Sequence, residues 1–174
     1  MRCSVFIAIS LDGYIARADG SIDYLSIVER AGEDYGYRAF FDAIDTLVIG
    51  RSTYDLALTF DPWPYAGKRC VVLTRTPREA QHNEEFFAGD PSELVERLNA
   101  SGTHRAYIDG GAVIQQFLAA RLIDELTISV LPLLLGEGIR LFGDTKGDLP
   151  LELTASKRYK SGLVQLTYLA KQSG

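Results

Sequence analysis

Residues 105–118 read Arg105-Ala106-Tyr107-Ile108-Asp109-Gly110-Gly111-Ala112-Val113-Ile114-Gln115-Gln116-Phe117-Leu118. A short apolar run closes on an acid, two glycines follow, and Val113, Ile114, Phe117 and Leu118 then recur at helical spacing. The segment therefore reads as a buried strand, a tight turn and an amphipathic helix. Three earlier runs share the strand character: Ser4-Val5-Phe6-Ile7-Ala8-Ile9, Asp45 to Gly50, and Arg69 to Thr74. They lack a regular polar alternation, as expected of parallel strands covered on both faces. Strands that alternate with helical patterns make an α/β fold.

Between these strands, Glu33 to Ile44 carries Tyr37, Phe40, Phe41 and Ile44 at helical spacing, which predicts a helix against one face of the sheet. Asp90-Pro91-Ser92-Glu93 opens another, with a capping acid, proline in the first turn and glutamate three places after the cap. From Asp124 onward the strands Leu126 to Val130, Leu151 to Thr154 and Leu163 to Leu169 follow without intervening helices. The last two are expected to close the sheet as an antiparallel pair.

A chain of 174 residues fits one domain, expected to span residues 1–174. Its 47% hydrophobic and 24% charged residues suffice for a core without staples, which makes disorder a poor reading. Only Cys3 and Cys70 are present, each in an apolar stretch, which favours a reduced, cytoplasmic protein over a disulfide scaffold. The formal charge of −5 and the lack of any basic run leave no footprint for nucleic acid. No stretch reaches the roughly 20 apolar residues of a membrane helix. Arg2, Val5 to Ile9 and Ala16-Arg17-Ala18 mimic a short signal peptide, but Asp12-Gly13 interrupts it and reads better as the loop after a first strand.

Few catalytic signatures survive inspection. There is no nucleophile elbow, no Walker loop and no G-x-G-x-x-G; Gly136-Glu137-Gly138 lacks the third glycine. His82-Asn83-Glu84 spells half of a zinc deaminase motif without the P-C-x-x-C that should follow, so no metal is expected. What remains is a set of strand ends. Asp109-Gly110-Gly111 makes either a tight turn alone or a place where the first amides of a helix meet an anion. Ile49-Gly50-Arg51-Ser52-Thr53-Tyr54 adds a cation and two hydroxyls, and Leu73-Thr74-Arg75-Thr76-Pro77 ends the third strand in the same manner. The carboxyl edge of an open α/β sheet is where ligands bind, so together these turns suggest a phosphate-rich cofactor.

Ser4 to Ala16, Val48 to Tyr54, Arg69 to Thr76 and Ile108 to Phe117 resemble, in order and spacing, the cofactor-site segments of the dihydrofolate reductase-like fold. The acid-Gly-Gly turn, with Asp124-Glu125-Leu126 and Pro132 to Phe142, resembles one branch in particular. That branch holds the riboflavin-biosynthesis reductase, or RibD C-terminal, domain and its small stand-alone relatives. The resemblance spans nearly the whole chain. It implies a three-layer α/β/α arrangement whose mostly parallel central sheet carries antiparallel C-terminal strands.

For function, the resemblance implies an NADPH-dependent reductase that passes a hydride to a C=N or C=O bond of a pyrimidine, pterin or related small molecule. A narrower version is the 5-amino-6-(5-phosphoribosylamino)uracil reductase of riboflavin biosynthesis; the rival from another class is a nucleotide-binding module without turnover. Carried onto this sequence, Arg51 and Thr53 would meet the phosphates, with Gly50 and Ser52 beside them, and Thr74 and Arg75, after Leu73, would meet the adenosine 2′-phosphate. Gly110 and Gly111, between Asp109 and Ala112-Val113, would hold the pyrophosphate, and Ala8 and Ile9 would line the nicotinamide. Asp34 stands where dihydrofolate reductases carry the acid that orients substrate, although an acid in the first turn of a helix also suits the helix dipole. Ser21-Ile22-Asp23-Tyr24 replaces their Pro-Trp pair, so folate is not the expected substrate. Pairing of two copies is expected, and the apolar run Val130-Leu131-Pro132-Leu133-Leu134-Leu135 reads equally as its contact surface or as core.

Overall fold

Side-chain alternation along each central strand decides which helical layer it feeds. In the computed structural model, which describes residues 1–171, β3 (Thr46–Gly50) sends Leu47 and Ile49 to one face and Val48 to the other. β4 (Arg69–Leu73) divides Cys70 and Val72 from Val71, and β6 (Arg105–Asp109) divides Tyr107 from Ala106 and Ile108. One face is covered by α3 (Pro91–Ala100) and α4 (Gly111–Ala119) through Leu94, Leu98, Val113, Ile114 and Phe117. The other is covered by α1 (Tyr37–Asp42) and α2 (Arg51–Ala57), with Phe40, Tyr54, Trp63 and Tyr65 in the core. The result is the three-layer α/β/α arrangement.

With β1 (Arg2–Ser10), β5 (Glu85–Phe87), β7 (Glu125–Leu131), β9 (Leu151–Arg158) and β10 (Val164–Ala170), the sheet has the order β5-β4-β3-β6-β1-β7-β10-β9. Every neighbouring pair from β5 to β7 is parallel; β10 runs antiparallel to both β7 and β9. β2 (Tyr14–Ala16) and β8 (Ile139–Arg140) form a separate antiparallel ribbon beside the end of β1.

Two expectations change. The helix expected over residues 33–44 starts only at Tyr37, because Tyr35 and Gly36 have φ of 56° and 84° and break the helical path. The acid Asp34 therefore precedes the helix. Its two carboxylate oxygens accept the Gly36 and Arg38 backbone N–H groups at 2.9 and 3.0 Å, which closes the turn. The run 130–135 also lies mostly inside: Leu131 is fully buried, and Leu133 and Leu135 pack on the cluster of Tyr24, Val28 and Leu163. Leu134 alone among its leucines is strongly exposed, at 65%. Apolar surface of that kind is instead found on the edge strand β9, at Leu151 and Leu153.

Candidate functional site

β4, β3 and β6 are adjacent and parallel, so their carboxyl ends open on one edge, as the strand-end chemistry requires. The turns after β3 and β6 touch. Gly110, at φ 94°, has no room for a side chain: a Cβ there would stand 2.5 Å from Thr53 Oγ1. A Cβ on Gly50 would stand 3.0 Å from Val113 Cγ2, and one on Gly111 2.7 Å from Ile15 Cδ1. The turn after β4 joins them through Arg51, whose Nη1 donates to Thr76 Oγ1 at 2.8 Å.

A cleft of about 1130 Å3 runs along this edge. Gly50, Arg51, Ser52, Thr53, Leu73, Thr74, Arg75, Asp109, Gly110, Gly111, Ala112, Val113 and Ala8 all line it. Ile9 does not. Phe6, Ile7 and Ala8 line the cleft from β1, whereas Ile9 is buried in the core on the α3–α4 face, so its assignment to the nicotinamide wall is corrected. The described lining carries two cations, Arg51 and Arg75, and one acid, Asp109. Arg75 makes no hydrogen bond or ion pair among the described residues. Arg51 is held by Asp55 at 3.4 Å, and Arg78, which sequence reading passed over, shares that acid at 3.0 Å. α4 opens at Gly110 without a side-chain cap, so its first amides still need partners. Two cations, a hydroxyl-rich turn and a glycine cradle against an uncapped helix start fit the phosphates of a dinucleotide.

Asp109 faces the α1 side together with Tyr107, and extending the β6–β1 register places it beside Phe6. Its Oδ1 accepts the Gly110 N–H at 2.8 Å. Burial pushes the carboxyl up to about 6 despite that hydrogen bond. The phenols around it respond: Tyr37 is pushed up to about 12, by burial first and the Asp109 charge second, and Tyr107 is raised by the same two causes.

A second cavity of about 580 Å3 adjoins the first, with Phe6, Ala8 and Leu25 lining both. Asp34 lies here, at the mouth, with Glu29, Arg30 and Glu33. Backbone amides hold the Asp34 carboxyl below the usual carboxylate range, that of Gly36 first. The structure thus gives Asp34 a capping task and a place at a cavity. Asp34→Asn would replace one acceptor of a backbone N–H by a donor, so the melting temperature should fall by a few degrees. If the carboxylate also meets substrate, KM should rise while cofactor affinity stays; a stability loss with unchanged KM would remove Asp34 from the site.

Sequence reading missed what frames this end. A 3-10 helix, Asp23–Val28, presents buried Tyr24, whose hydroxyl donates to Ile15 O at 2.9 Å and pins the first loop over β1. Asp12 ties that loop to the segment after β7, accepting from Leu135 N, Gly136 N and the Ser10 hydroxyl. The Ser10 hydrogen bond is the main cause that lowers Asp12 to about 2. Long-range hydrogen bonds of this kind leave no periodic signal. His82-Asn83-Glu84 proves structural: Glu84 is buried and accepts from Tyr54 Oη, Gln81 N and His82 N. No group of three or more His, Cys, Asp or Glu residues suited to a metal occurs among the described residues.

The RibD C-terminal domain model matches residues 3–165. The chain is 38% identical over 168 residues to "Uncharacterized protein YwjB" of Bacillus subtilis, covering 95% of both chains. Among solved structures, "Putative riboflavin biosynthesis protein" from Shewanella sp. PV-4 is 40% identical, with a TM-score of 0.93 over 99% of this chain and 100% of that one. A Thermotoga maritima diaminohydroxyphosphoribosylaminopyrimidine deaminase/5-amino-6-(5-phosphoribosylamino)uracil reductase shares the fold at 13% identity and a TM-score of 0.71, over 98% of this chain and 56% of that one.

Proposed function

The chain belongs to the RibD C-terminal domain family, and from that we propose that it is an NADPH-dependent reductase of a C=N or C=O bond in a small ring compound. The observation that carries the reading is the convergence of three strand ends, with Arg51, Arg75 and Gly110-Gly111, on one cleft that joins a second cavity at Phe6 and Ala8. One cavity alone would suffice for a binding module; two that share a wall suit transfer between a donor and an acceptor. NADPH supplies the hydride when bound. The protein supplies alignment: Arg51, Thr74 and Arg75 take the adenosine 2′-phosphate end, and Gly110, Gly111 and Thr53 the pyrophosphate. Ala8 and Phe6 bound the place where the two cavities meet. Holding both reactants there converts an encounter into a positioned one, the largest effect available to a site poor in catalytic side chains.

Reduction of C=N or C=O also consumes a proton. Asp109 is the acid that lines the larger cleft, and a carboxyl near 6 is part protonated at neutral pH. A phosphate anion on the adjoining turn raises it further. We assign Asp109 the role of proton donor, directly or through one water. The reading is tested by following NADPH oxidation with pyrimidine and pterin acceptors: acceptor-dependent oxidation supports it, and binding of NADPH without turnover across such a panel would favour the module.

Cytoplasmic placement is part of the proposal. No helix of the described residues is long and apolar enough to cross a membrane, and Cys3 and Cys70 are free, buried and raised to about 12 chiefly by burial, which leaves them inert as thiols. Pairing of two copies is retained as a proposal, resting on Leu134, Leu151 and Leu153 rather than on the buried leucines. Light scattering at micromolar concentration should return twice the 19.2 kDa of the chain; the single-chain mass would exclude the pair.

A further inference from the structure

The second cavity differs in electrostatic character from the first. Its walls are apolar: Phe6, Ala8, Leu25, Val28, Leu131 and Leu163. Three carboxylates, Glu29, Glu33 and Asp34, stand at its mouth against one cation, Arg30. That cation is partly committed, since Arg30 Nη1 donates to the backbone carbonyls of Glu29 at 2.6 Å and Ile27 at 3.4 Å.

Three backbone amides of the turn at the mouth are taken by its own carboxylates. Glu33 Oε1 accepts Tyr35 N–H at 2.8 Å, and Asp34 accepts the N–H groups of Gly36 and Arg38. An incoming phosphate, with a charge of about −1.5 to −2, would find a carboxylate where it needs a donor. Deeper in, the polar groups are neutral. Ser129 is buried, at 3% exposure, and its Oγ accepts from Gln165 Nε2 at 3.0 Å, leaving the hydroxyl proton without an acceptor among the described residues and able to donate to a ring nitrogen or oxygen.

Resting on the reductase reading above, we propose that the substrate of this site carries no phosphate and is a neutral or cationic ring compound. The apolar walls take its faces, the Ser129 hydroxyl reads a ring acceptor, and the carboxylates at the mouth favour N–H donors on its outer edge. The volume of about 580 Å3 lies within the range of small-molecule pockets. The chain thereby departs from a phosphoribosyl substrate while keeping the cofactor cleft.

The test uses two probes that differ in one group: 5-amino-6-(5-phosphoribosylamino)uracil and its dephosphorylated nucleoside. Their affinities for the protein saturated with NADP+ are measured by calorimetry at low and high salt. The nucleoside should bind on the order of tenfold tighter, with the gap shrinking as salt rises, because like charges at the mouth repel the phosphate. Glu29→Gln, an exposed change outside the capping interactions, should narrow the gap severalfold. Equal or tighter binding of the phosphorylated probe, or failure of both to bind the loaded protein, would overturn the proposal. Failure of the protein to take up NADP+ at all would instead overturn the cofactor reading on which it rests.

Discussion

Asp109→Asn should lower turnover by about 100-fold or more while leaving NADPH affinity close to wild type, the loss expected when a positioned general acid is removed. Asparagine keeps the oxygen that accepts the Gly110 N–H and the shape of the side chain, so the turn should persist. The pH profile gives a second readout. Donation needs the protonated carboxyl, so wild-type turnover should decline as pH rises through its pKa, about 6 in the free protein and higher beside bound phosphate, and the variant should lack that limb. The variant's stability should change in the opposite direction to its turnover. A carboxyl raised from 3.8 to about 6 favours the folded state while protonated, and that contribution is fully present below about 3.8 and lost as pH rises through about 6. At 1.36 kcal/mol per pH unit the burden on the folded anion approaches about 3 kcal/mol, and solvent at the cleft reduces it. The variant should therefore gain roughly 1–3 kcal/mol near pH 8 and nothing near pH 4, as read from urea unfolding. Unchanged turnover with an unchanged pH limb would take Asp109 out of proton transfer.

Arg75→Ala should weaken NADPH about tenfold and barely affect NADH. A hydrogen bond to a charged group contributes about 1.5–3 kcal/mol, and exposure and salt hold Arg75 to the lower end, near one decade at about 1.4 kcal/mol. Arg51→Ala should cost less, on the order of threefold, because Arg51 must first exchange Asp55 and Thr76 for the phosphate. The wild-type preference for NADPH should shrink as salt rises. Binding constants for both cofactors on wild type and the two variants are the check. Parallel weakening of both cofactors would move the arginines to the shared pyrophosphate or to the fold.

Strand ends were legible where local chemistry and topology coincide. Gly50-Arg51, Thr74-Arg75 and Asp109-Gly110-Gly111 each follow an apolar run, and a parallel sheet necessarily brings such ends to one edge. The capping sequence Asp90-Pro91-Ser92-Glu93 was equally plain, with Asp90 Oδ1 accepting Ser92 N–H at 2.8 Å. β5 was not legible, since Glu85–Phe87 is three residues long and gains its place only by pairing with β4. Residues 33–36 misled because apolar spacing from Tyr37 onward hides a break set by positive φ at Tyr35 and Gly36. Ile9 misled because it is buried in the α3–α4 core, and parity alone does not decide access to the cleft: Ile7, on the same side of the strand, lines it. The second cavity is assembled from β1, the 3-10 helix, the turn at 29–35, β7 and Leu163, separated by long stretches of chain, and no local pattern announces it.

Calorimetric titration of the unmodified protein with NADPH, repeated with NADH, tests the cofactor cleft most directly. The account predicts saturable binding of one NADPH per chain, at least tenfold tighter than NADH at low salt, with the difference narrowing as salt is added. Absence of NADPH binding, or equal affinity for the two cofactors at low salt, would contradict it.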